Sequence, residues 1–484
     1  MSQGADWKRY FFIVLGLFFM IWFWAMPELS PAIDPSGKVF PLTQEGKAAI
    51  GLFLLAGIWW VFEVIPIGVT SIAIGVFQVI FTIRPAKDAF RDFMDPTVLF
   101  ILGSLLVGIV FSKVGVTKRM AYRTLSIVGE DTRMILLGVF VVTALLTHVM
   151  AHTAVAGTMF PIMMAILALY GGSTDKPTKF GKALFMGMAY TAGAGSICTL
   201  MGGARNPAAV GFFQEFTGQS VSFIDFSTHL APFGWITVFA VWALFIFWYK
   251  PEKTKIPGLM ETVKSEHAKL GPMTGREKFV VAVVALAIGF LVSASFIPAF
   301  QGIDRSVPLL FAGLIFFITK VLDVKDLEKG VPWNIILLFG GAMSIGYCLW
   351  QTGAAQWIAV NWLAMLEGAP WMVVVLGVSL LILILTNFIM NVAAISIVLP
   401  VALVIGSYMN INPELLLYSC TAMAGMPFLL LIGAAPNAIA YESKQFKTGE
   451  FFLTGIPCSL MILAMVALLS VTYWPLIGMP PLLK

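Results

Sequence analysis

One polar stretch interrupts a long apolar run, and it reads Thr147-His148-Val149-Met150-Ala151-His152-Thr153-Ala154. A second stretch of the same kind begins 239 residues later and reads Thr386-Asn387-Phe388-Ile389-Met390-Asn391-Val392-Ala393. In each copy a proline follows the threonine by fourteen residues, Pro161 in the first and Pro400 in the second. Polar groups are costly inside a bilayer, so a pair of such clusters indicates a functional site.

Each polar stretch is followed by a segment rich in glycine and proline. Residues 202–207 read GGARNP, and residues 433–437, displaced by 231, read GAAPN. A third matched pair of apolar segments begins at Pro96 and Pro332, with an offset of 236. Three features in the same order predict an internal duplication. Paired apolar segments interrupted by Gly and Pro also indicate the binding site of a secondary transporter.

The composition is that of a membrane protein. Of the 484 residues, 59% are hydrophobic and 11% are charged, whereas soluble proteins are about half apolar and a quarter charged. Apolar runs of about 20 residues favour helices over a barrel, because unpaired backbone is not tolerated in lipid. We therefore predict an all-α polytopic membrane protein, whose net charge of +5 reflects topology and not a nucleic-acid partner. Four cysteines in apolar surroundings are expected to be small packing residues, namely Cys198, Cys348, Cys420 and Cys458.

Charge divides the chain into four parts. Residues 1–47 are predicted to be an N-terminal helix and an external loop, and residues 48–249 the first repeat. A cytoplasmic basic linker covers 250–278, and the second repeat with a C-terminal helix covers 279–484. Lys8 and Arg9 before the first apolar run predict a cytoplasmic N-terminus. That run is expected to remain as a helix, since no small-residue cleavage site follows it. We expect single spans near 10–26, 48–64, 68–84, 96–111, 230–249, 279–299, 306–322, 332–350 and 452–476, hairpins at 133–170 and 371–408, and broken helices at 180–216 and 413–441.

With these motifs the chain resembles the divalent anion/sodium symporter family, which carries di- and tricarboxylates and sulfate, over nearly its whole length. The family's Trp-x-x-Glu-x-x-Pro signature matches Trp60, Glu63 and Pro66. Its two Ser-Asn-Thr hairpin tips fall on residues 151–153 and 390–392. Its Gly-Thr-Pro-Pro-Asn and Ala-Thr-Pro-Pro-Asn breaks fall on residues 202–206 and 433–437. Without the resemblance, the preferred interpretation of Glu63 is a residue at the membrane interface, and the alternative is a residue of the site.

The resemblance implies a fold and a mechanism. The fold has two inverted repeats, each with a re-entrant helical hairpin and a broken transmembrane helix. The family works as an elevator-type transporter, a homodimer whose transport domain slides along a fixed scaffold domain. Its four motif elements surround one anion and two or more sodium ions near the middle of the membrane. We therefore expect a bacterial inner-membrane protein whose partners are a small anion and the lipid bilayer, with Na+ as the candidate coupling ion and no other cofactor.

The resemblance also assigns candidate contacts residue by residue. Those to the substrate fall on His152, Thr153, Gly203, Arg205, Asn391, Val392, Ala434 and Ala435. Those to a cation fall on Thr147, Ala151, Gly202, Thr386, Ile389, Asn391 and Gly433. Because the second copy keeps a threonine and an asparagine, Na+ is best supported at Thr386 and Asn391.

The departures from the family pattern bear on the substrate. Of the six tip positions only Thr153 and Asn391 keep the family residue, and both loop threonines are replaced, by Gly203 and Ala434. Helix N-termini still offer backbone N–H groups to an anion. Arg205, which stands where the family has proline, can pair with a carboxylate or sulfonate through two hydrogen bonds. The alternative for Arg205 is a structural cation that bonds backbone carbonyls or reaches the interface.

Other polar residues have two interpretations each. Asn206 and Asn437 either hold the backbone of the breaks or contact the ligand. The hydroxyls of Thr147 and Thr386 bind either a cation or their own helix. His148 and His152, at i and i+4, are expected to share a helix face. Without the glutamate of H-E-x-x-H they do not indicate a zinc peptidase, and bonds to neighbouring helices are the simpler interpretation.

Together these observations predict a symporter of a small anion, with a dicarboxylate as the leading substrate and sulfate or a sulfonate as the alternative. Imidazole is a poor sodium ligand, and histidine titrates near pH 6.5 when unperturbed. His152 therefore suggests mixed or proton coupling. A cation antiporter would need buried aspartates at the tips, and an intramembrane enzyme would need a nucleophile–base pair or a metal triad. The sequence offers neither, and we predict that the protein is not an enzyme.

Overall fold

The computed structural model describes residues 7–33, 39–62, 64–294, 296–363, 369–388 and 390–483. This part of the chain is mostly helical, with one small hairpin in which β1 (Ala32–Ile33) pairs antiparallel with β2 (Val39–Phe40). Eight of its helices are long and apolar enough to cross a membrane. The predicted fold class, an all-α polytopic membrane protein, is confirmed.

The helices follow the predicted duplication. Those of the first half are α1 (Trp7–Ala25), α2 (Gln44–Val61), α3 (Ile67–Ile80), α4 (Ala86–Arg91), α5 (Pro96–Val114), α6 (Val116–Val128), α7 (Thr132–Thr147), α8 (His152–Tyr170), α9 (Lys179–Ser196), α10 (Arg205–Thr217) and α11 (Phe223–Trp248). After α12 (Leu259–Lys269), those of the second half are α13 (Gly275–Ser293), α14 (Pro298–Gln301), α15 (Ser306–Ile318), α16 (Trp333–Gln351), α17 (Ala354–Leu363), α18 (Trp371–Phe388), α19 (Asn391–Tyr408), α20 (Pro413–Ala424), α21 (Ala435–Tyr441), α22 (Thr448–Val471) and α23 (Tyr473–Leu476).

Both helix breaks lie earlier in the chain than we predicted from the positions of the prolines. The first covers residues 197–204, so that Arg205 and Pro207 belong to the first turn of α10. The second covers residues 425–434, with Pro436 in the first turn of α21. Proline is tolerated in the first turn because its missing N–H has no partner there anyway. The prolines therefore begin the second half-helices, and the prediction that they lie inside the breaks was wrong.

Several helices start before their predicted boundaries, and a capping side chain explains two of these starts. The Thr43 hydroxyl accepts a hydrogen bond from the N–H of Gly46, and α2 begins at Gln44. Thr274 and Glu277 form a reciprocal capping box, and α13 begins at Gly275, inside the predicted linker.

The two halves interlock through exchanged contacts. Helix α3 packs against α16, and its counterpart α15 packs against α5. In the same way α8 packs against α21, and α19 packs against α10. Small residues allow this close approach: a Cβ added to Gly103 would lie 2.7 Å from the Cβ of Leu309. Each hairpin is therefore held by the broken helix of the other repeat.

The two hairpins reverse direction over short segments. Residues 148–151 join α7 to α8, and residues 389–390 join α18 to α19; Ile389 lies outside the described residues. Because the chain turns at 148–151, His148 caps the end of α7 whereas His152 starts α8. The two histidines thus do not share a helix face, and that part of the sequence interpretation was wrong.

Candidate functional site

One cavity of about 270 Å³ lies where the hairpin tips meet the helix breaks. Four segments predicted from the sequence line it together, residues 151–153, 203–205, 390–392 and 433–435. The remaining wall comes from α5, α16 and the first break, through Ile101, Ser104, Leu105, Pro332, Ile335, Phe339, Leu200, Met201 and Pro207. Segments more than 200 residues apart in sequence thus form one binding-sized space.

Three long helices begin at this cavity without a side-chain cap. The residues before α8, α10 and α19 are Ala151, Ala204 and Met390, and none of the three makes a side-chain capping bond. The first N–H groups of a helix have no partner within the helix. They carry the positive end of the helix dipole, which favours a bound anion. These helix termini support the prediction that the site can bind an anion although the hydroxyls of the family motifs are missing.

Arg205 is buried beside the cavity with most of its donors unused. Only 2% of the surface of Arg205 is exposed. Nη2 donates to the Ser196 hydroxyl at 2.6 Å, and the buried Nε has no hydrogen-bond partner among the described residues. Within the same part of the chain no carboxylate forms an ion pair with it. Since a buried unpaired charge is strongly unfavourable, an anion in the cavity would complete its coordination.

Two glycines make room for this guanidinium. A Cβ added to Gly203 would lie 2.7 Å from Nη1, and one added to Gly425 would lie 2.7 Å from Nη2. A side chain at either position would force the guanidinium to shift. A threonine at position 203, as the family resemblance implies, would therefore compete with Arg205 for the same space.

The first hairpin tip supplies two more polar groups to the cavity. The Nδ1 atom of His152 is buried and has no hydrogen-bond partner within the described ranges. Thr153 is exposed at the cavity. His148, by contrast, does not line the cavity: its Nδ1 contacts the carbonyl of Ala144 at 2.6 Å, and its ring packs against Trp235. His148 is a structural residue, and His152 faces the site.

The second hairpin tip gathers oxygen atoms. The Thr386 hydroxyl donates to Oδ1 of Asn391 at 2.8 Å, and it also lies 2.9 Å from the carbonyl oxygen of Ala424. One hydroxyl hydrogen satisfies only one of these two acceptors. A Cβ added to Gly433 would lie 3.0 Å from the Thr386 carbonyl oxygen, so the second break also approaches the backbone of Thr386. Clustered neutral oxygens of this kind suit a hard cation.

The corresponding place in the first repeat is built differently. The Thr147 hydroxyl donates to the carbonyl of Ala144 in its own helix at 2.7 Å. A Cβ added to Gly202 would lie 2.6 Å from the Thr147 carbonyl oxygen. Thr147 and Gly202 are therefore neighbours, as the resemblance implies. However, His152 provides nitrogen where Asn391 provides oxygen in the second repeat.

Asn206 and Asn437 fasten the two breaks in the same way. Nδ2 of Asn206 donates to the carbonyls of Ser196 and Thr199 at 2.8 and 2.7 Å. Nδ2 of Asn437 donates to the carbonyls of Pro427 and Leu430 at 2.8 and 3.1 Å. Each residue of the first group has its counterpart 231 residues later in the second group. Neither asparagine is among the residues that line the cavity, so both hold the backbone of the breaks.

Sequence reasoning missed the residues that position Arg205. Ser196 and Gly425 contact the guanidinium from the end of α9 and from the second break. The apolar wall from α5 and α16, with Ile101 and Phe339, was also not foreseen. No sequence motif marks these contacts, because they depend on which helices become neighbours. Glu63, a further candidate, lies outside the described residues.

Comparisons with known proteins agree with this architecture. Residues 7–480 match the family described as the sodium:sulfate symporter transmembrane region. The chain is 25% identical over 447 residues to the sodium-dependent dicarboxylate transporter SdcS of Staphylococcus saprophyticus, covering 88% of this chain and 86% of that protein. It is also 25% identical over 464 residues to a membrane protein of Cupriavidus necator, covering 90% and 89%.

Solved structures share the fold at low sequence identity. The YdaH transporter of Alcanivorax borkumensis superposes with a TM-score of 0.59 at 13% identity, over 98% of this chain and 99% of that one. MtrF of Neisseria gonorrhoeae gives a TM-score of 0.57 at 14% identity, over 95% and 94%. The resemblance inferred from the hairpin and break motifs is confirmed, and the similar proteins are transporters and not enzymes. This chain is an integral membrane protein that belongs to the sodium:sulfate symporter family, the divalent anion/sodium symporters.

Proposed function

We propose that this protein is a secondary active symporter that moves a small anion across a bacterial inner membrane, with its N-terminus in the cytoplasm. Sodium is the proposed coupling ion, in keeping with the name of the SdcS relatives. Carboxylates, including the dicarboxylates that the sequence favoured, are the first substrate class to test. Sulfate and sulfonates are the second class, and protons are a second candidate coupling ion because of His152.

One observation carries the proposal. The buried Arg205 has an unpartnered Nε and no carboxylate partner in the described part of the chain, and it lines the same cavity as three uncapped helix N-termini. A guanidinium offers two parallel N–H groups that match a carboxylate or sulfonate. An anion would therefore replace the water that these donors lose on burial.

Coupling is proposed to pass through Asn391. Its Oδ1 belongs to the oxygen cluster around Thr386, and the residue also lines the cavity and starts α19. A sodium ion held by these oxygens would fix the hairpin tip, and the tip would then present its N–H groups to the anion. Each ligand would raise the affinity for the other, as linkage requires.

The transport step is proposed to be an elevator movement within a homodimer. The hairpins and broken helices would move as one body along the scaffold helices α5 and α16. The scaffold wall of the cavity is formed by Ile101, Leu105, Ile335 and Phe339. Its one hydroxyl, that of Ser104, bonds to the carbonyl of Phe100 in its own helix. An apolar surface of this kind has no polar contacts to break when the other body slides.

The test is uptake by proteoliposomes that contain the purified protein. Labelled carboxylates, sulfonates and sulfate would be offered with an inward sodium gradient, with an inward proton gradient, and with potassium alone. We expect accumulation of at least one anion that depends on an ion gradient, and its loss when an ionophore collapses that gradient. Accumulation that ignores both gradients, or none for any anion, would overturn the proposal.

A further inference from the structure

The hairpin tips and breaks of the two repeats line the cavity with unlike side chains. The first wall, residues 151–153 and 203–205, carries the polar side chains of Arg205, His152 and Thr153. The second wall, residues 390–392 and 433–435, carries mainly the apolar side chains of Met390, Val392, Ala434 and Ala435. Helices α5 and α16 add further apolar surface through Leu105, Ile335 and Phe339. A molecule with one negative group and one apolar group would match both walls.

The unmet hydrogen-bonding capacity lies almost entirely on the first wall. In the described residues, Nε of Arg205 and Nδ1 of His152 are buried without partners. The second wall has one polar side chain, Asn391, and the Oδ1 atom of that residue already accepts from Thr386. The first wall can therefore pair with a negative group, whereas the second wall offers the Asn391 amide and the backbone N–H groups at the start of α19.

This asymmetry sets the cost of a second negative charge. A carboxylate placed against Met390, Val392 and Ala434 would lose its water, and no hydroxyl there would replace it. The N–H groups at the start of α19 and the proposed sodium ion would offset only part of that loss. An apolar group at the same place would be removed from water, which is favourable. The cavity of about 270 Å³ suits one small ligand, so both groups are assigned to the same molecule.

We propose that the transported anion carries a single carboxylate or sulfonate, bound by Arg205, His152 and Thr153, and a short apolar group packed against Met390, Val392 and Ala434. The substrate class is thus a small amphipathic monoanion and not a dicarboxylate. This inference rests on the proposed function and narrows its substrate.

The first experiment compares ligands of equal length. Butyrate and succinate differ only in the second carboxylate, and propanesulfonate and 3-sulfopropanoate form the corresponding sulfonate pair. Affinities of the purified protein would be measured by isothermal titration at saturating sodium and at a pH where succinate is a dianion. We expect butyrate to bind at least about tenfold more tightly than succinate. Tighter binding of succinate would overturn the inference.

The second experiment changes the second wall. The triple variant Met390→Ser, Val392→Thr and Ala434→Thr places hydroxyls where the family resemblance expects them. It should shift the butyrate-to-succinate affinity ratio at least about tenfold towards succinate. Val398→Thr, a hydroxyl added in α19 at a buried residue that does not line the cavity, should leave the ratio unchanged. An unchanged ratio in a folded triple variant would also overturn the inference.

The outcomes separate this inference from the proposed function. If succinate is preferred and its uptake follows an ion gradient, the protein is a coupled anion carrier and only the monoanion inference fails. If no anion binds or moves, the proposed function fails and the inference fails with it. The parent protein alone decides this, even where the triple variant does not fold.

Discussion

The two repeats build corresponding halves of the site on the same backbone and fill them with different side chains. In the first repeat the tip and break present Arg205, His152 and Thr153 to the cavity. In the second repeat the corresponding segments present Met390, Val392 and small residues of the loop. The second repeat, however, keeps the oxygen cluster of Thr386 and Asn391, whereas Thr147 bonds to its own helix.

This difference indicates a division of labour between the repeats. The backbone framework is preserved by Asn206 and Asn437, which make the same pair of bonds in each copy. With the framework fixed, the side chains are free to specialise. We propose that the first half binds the anion and that the second half binds the cation and an apolar group.

Arg205→Lys should remove the strongest feature of the first half. Lysine has no planar fork and cannot bond both Ser196 and a carboxylate in the same geometry. Because hydrogen bonds to charged groups contribute about 1.5–3 kcal/mol each, we expect anion affinity to fall about 100-fold in titration calorimetry.

Arg84→Lys is the matched control for this change. Arg84 is also buried, but it pairs with Asp92 at 2.7 Å and does not line the cavity. This variant should lower thermal stability and leave anion affinity unchanged. Parent-like affinity in a folded Arg205→Lys protein would show that Arg205 is structural and not a ligand.

Asn206→Ala and Asn437→Ala test whether the two halves share one framework. Each change leaves two backbone carbonyls without their donor, which should reduce the free energy of unfolding by about 2 kcal/mol. Thermal unfolding should show similar losses for both. Asn361→Ala, which removes a bond from an exposed asparagine to the carbonyl of Trp357, should change stability little. Unequal losses at 206 and 437 would contradict the shared framework.

Thr386→Val and Thr147→Val compare the two candidate cation positions. Valine removes an oxygen from the cluster around Asn391, and hard cations bind poorly without oxygen ligands. The sodium concentration for half-maximal uptake should rise about tenfold in Thr386→Val and less than about twofold in Thr147→Val. If both variants lose sodium dependence equally, the first repeat also holds a cation.

His152→Asn addresses the smallest effect, proton coupling. Nδ1 of His152 is buried in the same cavity as the Arg205 guanidinium, so the imidazole gains a proton favourably only when an anion lies beside it. The protonated imidazole would then add attraction for the anion, and at fixed sodium uptake by the parent should rise about threefold from about pH 8 to about pH 5.5. The His152→Asn variant should be flat over this range and more dependent on sodium, since an amide oxygen is a better sodium ligand.

His148→Asn serves as its control, because His148 bonds the Ala144 carbonyl and does not line the cavity. This variant should keep the pH profile of the parent. Identical pH profiles in the parent and in His152→Asn would exclude a coupling role for His152.

The class of fold and the position of the candidate site follow from patterns along the chain. Helices and hairpins follow from apolar runs long enough to span a bilayer, which is a local property. The polar tips at His152 and Asn391 stand out because lipid tolerates such groups only for a reason. The common offsets of the matched features then paired the halves, and the cavity contains all four predicted segments.

Which groups meet depends on how the helices pack. Ser196 in α9 bonds the Arg205 guanidinium, and Gly425 in the second break leaves room for it. Thr386 reaches the carbonyl of Ala424, whereas Thr147 bonds back to α7. The prolines of the breaks start half-helices. The local sequence pattern does not distinguish a proline that starts a helix from one that interrupts it. The physical reason is range: helix formation depends on neighbours along the chain. Hydrogen bonding, close approach at glycine and the polarity of a cavity wall depend on segments that only packing brings together.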